Sequence, residues 1–308
     1  MSKSAIFHIL FSEAYPQKTR RNRKLANFFN QASLNFGGRI TNSNVTEGEV
    51  LNRLTVNKVA LTTDYGPGDN VVYAVNLTNN DATDKTDITV TDDLGAFVVG
   101  DLNIVPLTYV EGTLIYYQNG VLQTAPTVNA GPPLTISGIT VPAGGNVTLI
   151  YETQANEYAP LGANAFINNG VTVGGLDLCD GLADTVSTPT RNEPRLTIAK
   201  AICPAVLSCG DEVTYTFIIQ NSGNTAVVAT DNLIVSDNFT PVLQNITVAV
   251  NGGAIAEGVG YNYNTETGEF ATIVGTLPVP AATYTRNPTT GEIVTTPGVT
   301  ILTVTGTI

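Results

Sequence analysis

The sequence predicts an all-β protein built from two tandem antiparallel β-sandwich domains. Val and Thr are frequent among its 308 residues, and these β-branched side chains suit a pleated surface. Nothing resembles the Ala-, Leu-, Glu- and Lys-rich stretches that favour helices. Residues 71–77 alternate apolar and polar side chains, which is the period of a half-buried strand. Asn119-Gly120 and Asn251-Gly252 lie where hairpin turns require positive φ.

A long internal repeat divides the chain. Residues 53–58, Arg-Leu-Thr-Val-Asn-Lys, match residues 195–200, Arg-Leu-Thr-Ile-Ala-Lys, at an offset of 142 positions. Self-similarity over this length indicates two copies of one domain rather than a short-period solenoid. We therefore predict three segments with a linker at 188–194: an N-terminal arm (1–52), a first repeat (53–190) and a second repeat (191–308).

The charge of the chain is unevenly distributed. The net charge is −12, yet the arm has seven basic and three acidic residues, a charge of +4, which leaves −16 on the two repeats. A basic arm and acidic repeats predict that the arm docks on such a repeat, its own or a neighbour's. The acidic repeats argue against a nucleic-acid partner, and no apolar stretch is long enough for membrane insertion.

The two repeats end differently. Residues 147–153 of the first repeat align with residues 299–305 of the second, but a further segment containing Val171 and Val173 follows only in the first. That segment has the alternation of a last strand. We therefore expect the second repeat to lack its closing strand.

The arm contains a segment with the frame of that strand. Residues 29–38 and residues 166–175 both begin with Phe and end with Gly-Gly. An arm that adds its strand to the next molecule would generate a filament, because a head-to-tail contact does not close. The candidate subunit-interface residues are Phe29, Ala32, Leu34 and Phe36. The alternatives are an arm that folds back on its own chain and an arm that stays an unstructured tail.

The sequence shows no pattern of an active site. The only histidine is His8, and the sequence has no nucleophile elbow, phosphate loop or dinucleotide fingerprint. We therefore expect neither an enzyme nor a cofactor. Asp177, Asp180 and Asp184 could hold calcium, which prefers oxygen ligands, but they lack a full calcium-loop pattern, and a solvated acidic loop is the simpler interpretation.

The chain has three cysteines, an odd number that leaves one thiol over. Cys203 and Cys209 flank five residues in the loop between the first two strands of the second repeat. A disulfide across this loop would leave Cys179 for an intermolecular bond. Three reduced thiols are the alternative, which a cytosolic origin would favour.

The repeat carries a family resemblance. Its pattern is Arg-Leu-Thr-x-x-Lys, Gly-Asp-x-Val-x-Tyr, an alternating strand, Asn, and Val-Thr-Asp (Val-Ser-Asp in the second repeat). This pattern resembles the bacterial surface repeat known as "domain of unknown function eleven". The resemblance implies Ig-like sandwiches of envelope, surface-layer and adhesin-like proteins, and similar repeats occur in subunits of spore-surface appendages. It implies a structural role and no catalytic residues.

Sandwiches of related surface proteins also imply a covalent bond. In such domains an isopeptide bond joins a Lys of the first strand to an Asn of the last strand, and Lys58 and Lys200 lie at the first-strand position. Asn168 or Asn169 would serve Lys58, and Asn30 of a neighbouring copy would serve Lys200. The alternative is that both lysines lie along the surface or form ion pairs. No partner acid is evident from the sequence.

Two classes of function fit these observations. The first is a structural subunit that assembles with copies of itself, and with other appendage or coat proteins, into an extracellular fibre or spore-surface appendage. The second is a cell-surface, surface-layer or adhesin-like binding module. The N-terminus lacks the apolar core and cleavage site of a secretion signal. This favours a spore, whose appendages assemble inside the mother cell.

Overall fold

A computed structural model describes residues 24–51, 54–175, 178 and 182–308. Over these residues the protein is all-β, as predicted, with a single 3-10 turn at Ala229–Asp231 and no α-helix. No helix in this part of the chain could cross a membrane. The described residues up to Thr55 form one compact unit, and those from Val56 onward form another.

The arm is a long antiparallel hairpin. Its strands are β1 (Lys24–Asn30), β2 (Ser33–Phe36), β3 (Arg39–Asn42) and β4 (Thr46–Leu51). β1 pairs with β4 and β2 pairs with β3. Gly37 and Gly38 form the two-residue turn at φ values of 59° and 80°, a conformation that glycine adopts without strain. The register moves by one residue between the two ladders, as at a β-bulge.

The first repeat folds into two facing antiparallel sheets. Its strands are β5 (Leu54–Ala60), β6 (Asn70–Asn79), β7 (Lys85–Asp92), β8 (Phe97–Val99), β9 (Leu102–Ile104), β10 (Leu107–Tyr109), β11 (Ile115–Gln118), β12 (Val121–Gln123), β13 (Thr127–Asn129), β14 (Leu134–Val141), β15 (Asn146–Ala155), β16 (Phe166–Gly174) and β17 (Leu182–Pro189). One sheet has the order β12-β11-β15-β6-β5, with β10 also on β15. The other has the order β13-β14-β7-β16-β17, and β8 and β9 form a separate hairpin.

The second repeat reproduces the first of these sheets but not the second. Its strands are β18 (Leu196–Cys203), β19 (Glu212–Asn221), β20 (Ser236–Asn238), β21 (Gln244–Val250), β22 (Gly253–Ile255), β23 (Tyr261–Tyr263), β24 (Glu269–Thr272), β25 (Thr283–Arg286), β26 (Ile293–Thr296) and β27 (Gly298–Thr307). The five-stranded sheet β22-β21-β27-β19-β18 matches the order of the first repeat strand for strand. The facing sheet contains only β20-β24-β23, while β25 and β26 form a hairpin of their own.

Aromatic side chains fill the space between the sheets. In the first repeat, Tyr73 of β6 and Tyr151 of β15 are fully buried, with ring centroids 6.2 Å apart. In the second, Phe239 lies between Tyr215 at 4.9 Å and Phe270 at 5.8 Å. These rings bury large apolar areas, so they contribute a major part of the stability of each core.

Polar contacts join the two repeats. Arg191 Nε donates to Asp64 Oδ1 at 2.8 Å, and another guanidinium nitrogen lies 3.0 Å from Asp69 Oδ2. Tyr65 and Thr190 form a parallel β-bridge, in which Arg191 N donates to Tyr65 O at 2.8 Å. The β25–β26 hairpin contacts the first repeat through Arg286. The guanidinium of Arg286 stacks over the ring of Phe97, 5.1 Å from the ring centroid.

Two buried asparagines hold the loop after the second strand of each repeat. Asn79 is fully buried, and its Nδ2 donates to Thr83 O at 2.8 Å and to Val141 O at 3.1 Å. Asn221 makes the equivalent bonds to Thr225 O and Pro280 O at 2.7 and 3.0 Å. The equivalent asparagines of the two repeats thus hold the same loop with the same hydrogen bonds.

Replacing Asn79 by Ala should destabilise the first repeat by about 2–3 kcal/mol, because several buried backbone groups would lose their partners. Chemical denaturation of the full chain measures this change. Asn103→Ala, at an exposed position of β9, is the control and should change stability by less than about 0.5 kcal/mol. Equal effects of the two substitutions would contradict the assignment.

Candidate functional site

The second repeat presents an incomplete sheet. In the first repeat, β7 pairs with β14 on one side and with β16 on the other. Its counterpart β20 pairs with β24, and among the described strands nothing occupies its other edge. A cavity of about 660 Å³ adjoins β20, lined among others by Asp237, Tyr263 and Phe270. An open edge of this kind leaves backbone donors and acceptors available to another strand.

The first strand of the second repeat is also more exposed to solvent than the first strand of the first repeat. In the first repeat, Lys58 of β5 forms a 2.7 Å ion pair with Asp92, and these side chains are 0% and 1% exposed. The equivalent pair, Lys200 with Asp237, is 41% and 19% exposed. All eight residues of β18 are exposed, including the apolar Ile198 and Ile202. The β16–β17 hairpin is the element that the first repeat has and the second repeat lacks in the described residues.

The arm hairpin exposes apolar side chains. Leu34 is 67% exposed and Phe36 is 84% exposed, and Phe28, Phe29 and Ile40 are also exposed. Such a concentration of exposed apolar side chains on one short hairpin is typical of a surface that binds a partner.

The β16 strand indicates which arm residues would face a core. In the frame that aligns residues 29–38 with 166–175, Ala32, Leu34 and Phe36 fall on Asn169, Val171 and Val173, all buried. Phe29 falls on Phe166, which is exposed. By this comparison Phe29 would lie on the outer face of a donated strand, and the four interface residues expected from the sequence stay a prediction. Asn30 takes the buried position of Ile167 instead, which alternation from Leu34 could have indicated.

The buried Lys58 belongs to a cluster of polar groups in the core of the first repeat. Its Nζ lies 4.7 Å from the centroid of the Tyr73 ring, and Asp92 also accepts a hydrogen bond from the Tyr151 hydroxyl. The backbone N–H of Lys58 donates to Asp184 Oδ2 at 2.7 Å. Burial lowers the pKa of Lys58, and the nearby Asp92 carboxylate opposes that shift. Burial also raises the pKa of Tyr73 to about 12, so its hydroxyl stays protonated at neutral pH.

Strand alternation decides which asparagine joins this cluster. Asn169 is fully buried on the face of β16 that also carries Val171, whereas Asn168 is on the exposed face and accepts a hydrogen bond from Ser187. The sequence allowed either Asn168 or Asn169 as the residue near Lys58. The structure places Asn168 on the surface instead, because successive side chains of a strand point to opposite faces. Val171 lies opposite Asp92, so Asn169 is the next residue on the same face of the strand.

The acid that sequence reasoning missed is Asp92. It follows Ile88 and Val90 in the alternation of β7, and both of these are buried. A carboxylate in phase with core residues is the signal that could have identified it. Asn30, the partner expected for Lys200, lies two positions before Ala32, which takes the place of Asn169 in the arm frame.

The other predicted sites are only partly described. Cys203 and Cys209 are exposed free cysteines in this structure: Cys203 ends β18 opposite Thr214, and Cys209 lies in the loop that follows. The loop disulfide stays a prediction. Cys179, Asp177 and Asp180 lie outside the described residues. Asp184 binds the backbone of Lys58, and the described part of the chain contains no cluster of three metal-ligating side chains.

Comparisons with known proteins give structural likeness at low similarity. No family model and no curated protein matches the chain. Among solved structures, BcpA, the major pilin subunit of Bacillus cereus, is 14% identical, with a TM-score of 0.35 over 90% of this chain and 74% of that chain. The pilus backbone RrgB of Streptococcus pneumoniae is 11% identical, with a TM-score of 0.34 over 80% of this chain and 55% of that chain. The collagen-binding subdomain of the Enterococcus faecalis surface protein ACE is 11% identical, with a TM-score of 0.29 over 44% of this chain and 96% of that chain.

The two equivalent lysines should respond differently to replacement by Met. Lys58→Met leaves the buried Asp92 carboxylate without its cation and should destabilise the first repeat by about 3–5 kcal/mol. Lys200→Met removes a solvent-exposed ion pair and should cost at most about 1 kcal/mol. Denaturant unfolding of both variants of the full chain measures the difference, and equal losses would contradict it.

Proposed function

We propose that the chain is a structural subunit that polymerises head to tail on a bacterial surface, the arm hairpin of one copy completing the second repeat of the next. The observation that carries this proposal is the uniform exposure of β18 and of the Lys200–Asp237 pair, compared with the buried β5 site. The β16–β17 hairpin covers the equivalent site in the first repeat. The arm supplies a hairpin with the same frame.

The register of the first repeat gives the expected contacts of the donated strand. Val171 and Val173 lie opposite Asp92 and Val90, so Leu34 would lie opposite Asp237, and Phe36 opposite the buried Val235. The donated strand would pair with the open edge of β20, and its apolar side chains would close the core. The positive charge of the arm and the negative charge of the repeats favour the encounter.

A second copy is the partner that this geometry favours. Each molecule would offer one hairpin and one open sheet, so the contact is heterologous and propagates instead of closing. A filament follows without any further component. In this proposal the protein has no catalytic role, and it decorates the cell or spore surface.

Charges on the inner face of the arm should abolish assembly. The double variant Leu34→Asp/Phe36→Asp would place two unpaired carboxylates in a closing core and should weaken association by at least about 100-fold. Electron microscopy and sedimentation of the purified chain measure the filaments. The matched control is Gln31→Glu/Asn35→Glu, because these residues fall on Asn168 and Thr172, which are exposed in β16.

The control variant should form filaments like the unaltered chain although it carries the same two added charges. Filaments of the Leu34→Asp/Phe36→Asp variant would exclude donation by this hairpin. A monomeric unaltered chain would favour a ligand-binding surface module instead. A synthetic hairpin of residues 24–51 should bind a chain that lacks the arm and raise the unfolding temperature of its second repeat.

A further inference from the structure

The second repeat contains the same hairpin twice. Residues 261–272 and 284–295 share the pattern Tyr-x-x-Asn-x-x-Thr-Gly-Glu-x-x-Thr at an offset of 23 positions. Gly268 N donates to Asn264 O at 2.8 Å, and Gly291 N donates to Asn287 O at 2.9 Å. In both turns the asparagine Oδ1 accepts from the backbone N–H groups two and three residues later. The β25–β26 hairpin is therefore a second copy of the β23–β24 hairpin, by sequence and by hydrogen bonding.

Both hairpins bind a neighbour through the outer edge of their second strand. In β24, Phe270 lies opposite Asp237 of β20, within its own repeat. In β26, Ile293 holds the position of Phe270, and its backbone N–H donates to Glu157 O of the first repeat at 2.8 Å. An edge strand has unpaired backbone groups of this kind to offer. The same edge therefore binds the second repeat in one hairpin and the first repeat in the other.

The glycine of each turn packs against the neighbour that its hairpin binds. Gly268 and Gly291 are both buried. A Cβ atom at Gly268 would overlap the carbonyl oxygen of Phe239, and one at Gly291 would overlap the side chain of Ile104 in β9. Ile104 is only 3% exposed beneath this contact. The first repeat therefore has a place on its surface that accepts the turn of the β25–β26 hairpin.

One position distinguishes the two hairpins. The Tyr263 hydroxyl binds its own repeat, because it accepts from Leu243 N at 2.9 Å and donates to Leu243 O at 3.0 Å. Arg286 holds the same position in the second copy, and its Nη2 donates to Tyr158 O at 3.2 Å while its guanidinium stacks over Phe97. A planar guanidinium can satisfy a carbonyl and an aromatic face together. The docking surface of the first repeat consists of Phe97, Ile104, Glu157 and Tyr158.

We propose that the β25–β26 hairpin is a binding module for the docking surface, and that this contact holds the two repeats in one fixed orientation. Domains joined by a short linker move relative to each other unless their interface opposes the motion. The bridge of Tyr65 with Thr190 restrains the linker itself. The hairpin adds a contact between residues far from the linker in sequence, so rotation about the linker would break it. This contact lies within one molecule and does not depend on assembly.

Removal of the hairpin tests this role. Thr283 lies opposite Thr296, so an Asn-Gly turn can replace residues 284–295 and join the strand ends. Small-angle X-ray scattering of the full chain with Leu34→Asp/Phe36→Asp, the variant that should not assemble, should fit one arrangement of the two repeats. The trimmed variant in the same background should require a range of arrangements. Hydrogen exchange of residues 97–104 should become at least about 10-fold faster, because the docking surface is uncovered.

Arg286→Tyr is the sharper variant, because Tyr263 shows that this hairpin accepts Tyr at the same position. It keeps the turn but removes the stack on Phe97, so it should loosen the repeats and speed the exchange, and it decides the matter if the trimmed variant does not fold. Val294→Ala, at a position that is 47% exposed, is the matched control and should change neither measurement. A range of arrangements in the starting variant would overturn the proposal. Unchanged scattering and exchange in Arg286→Tyr would overturn it as well.

Discussion

Strand-edge pairing is the constraint on which the rest of this structure depends. A sandwich core is dry only when both sheets extend over it, and each sheet ends in backbone groups that need a partner or water. The first repeat satisfies this with β16 and β17, which cover β7 and bring Asp184 to the backbone of β5. The described second repeat has the same first sheet and a facing sheet two strands narrower. Similar local sequences therefore give a buried lysine in one repeat and an exposed lysine in the other.

The β16–β17 hairpin also determines how far water reaches the lysine–aspartate pair of its repeat. Lys58 and Lys200 occupy the same position, and each pairs with the equivalent aspartate. Water screens the second pair, whereas the first is enclosed by tyrosines and by Asn169. Reactivity between such groups depends on exclusion of water as much as on their identity. One additional hairpin therefore distinguishes a buried ion pair from a solvent-exposed one.

The sequence was sufficient for the fold class, because alternation and turn residues are local signals. The repeat offset of 142 also locates β19, since β6 and β19 each have ten residues and begin 142 positions apart. The sites were harder to predict. Asp92 and Asn169 are in phase with buried valines, but their meeting depends on how β16 aligns with β7, and neither propensity nor periodicity encodes that register. Because register is not encoded locally, the sequence alone does not separate Phe29 from Leu34 as interface residues. The comparison with β16 would place Phe29 on the outer face of the strand.

The parallel bridge between Tyr65 and Thr190 has a mechanical consequence. The chain enters the first repeat before Tyr65 and leaves it after Thr190, and in a parallel pair these two ends point in opposite directions. Tension along the chain would therefore slide the two segments past each other and load the bonds from Tyr65 N to Pro189 O and from Arg191 N to Tyr65 O together. An antiparallel pair pulled at one end would instead open one bond after another. The ion pairs of Arg191 with Asp64 and Asp69 lie beside this bridge and would share the load.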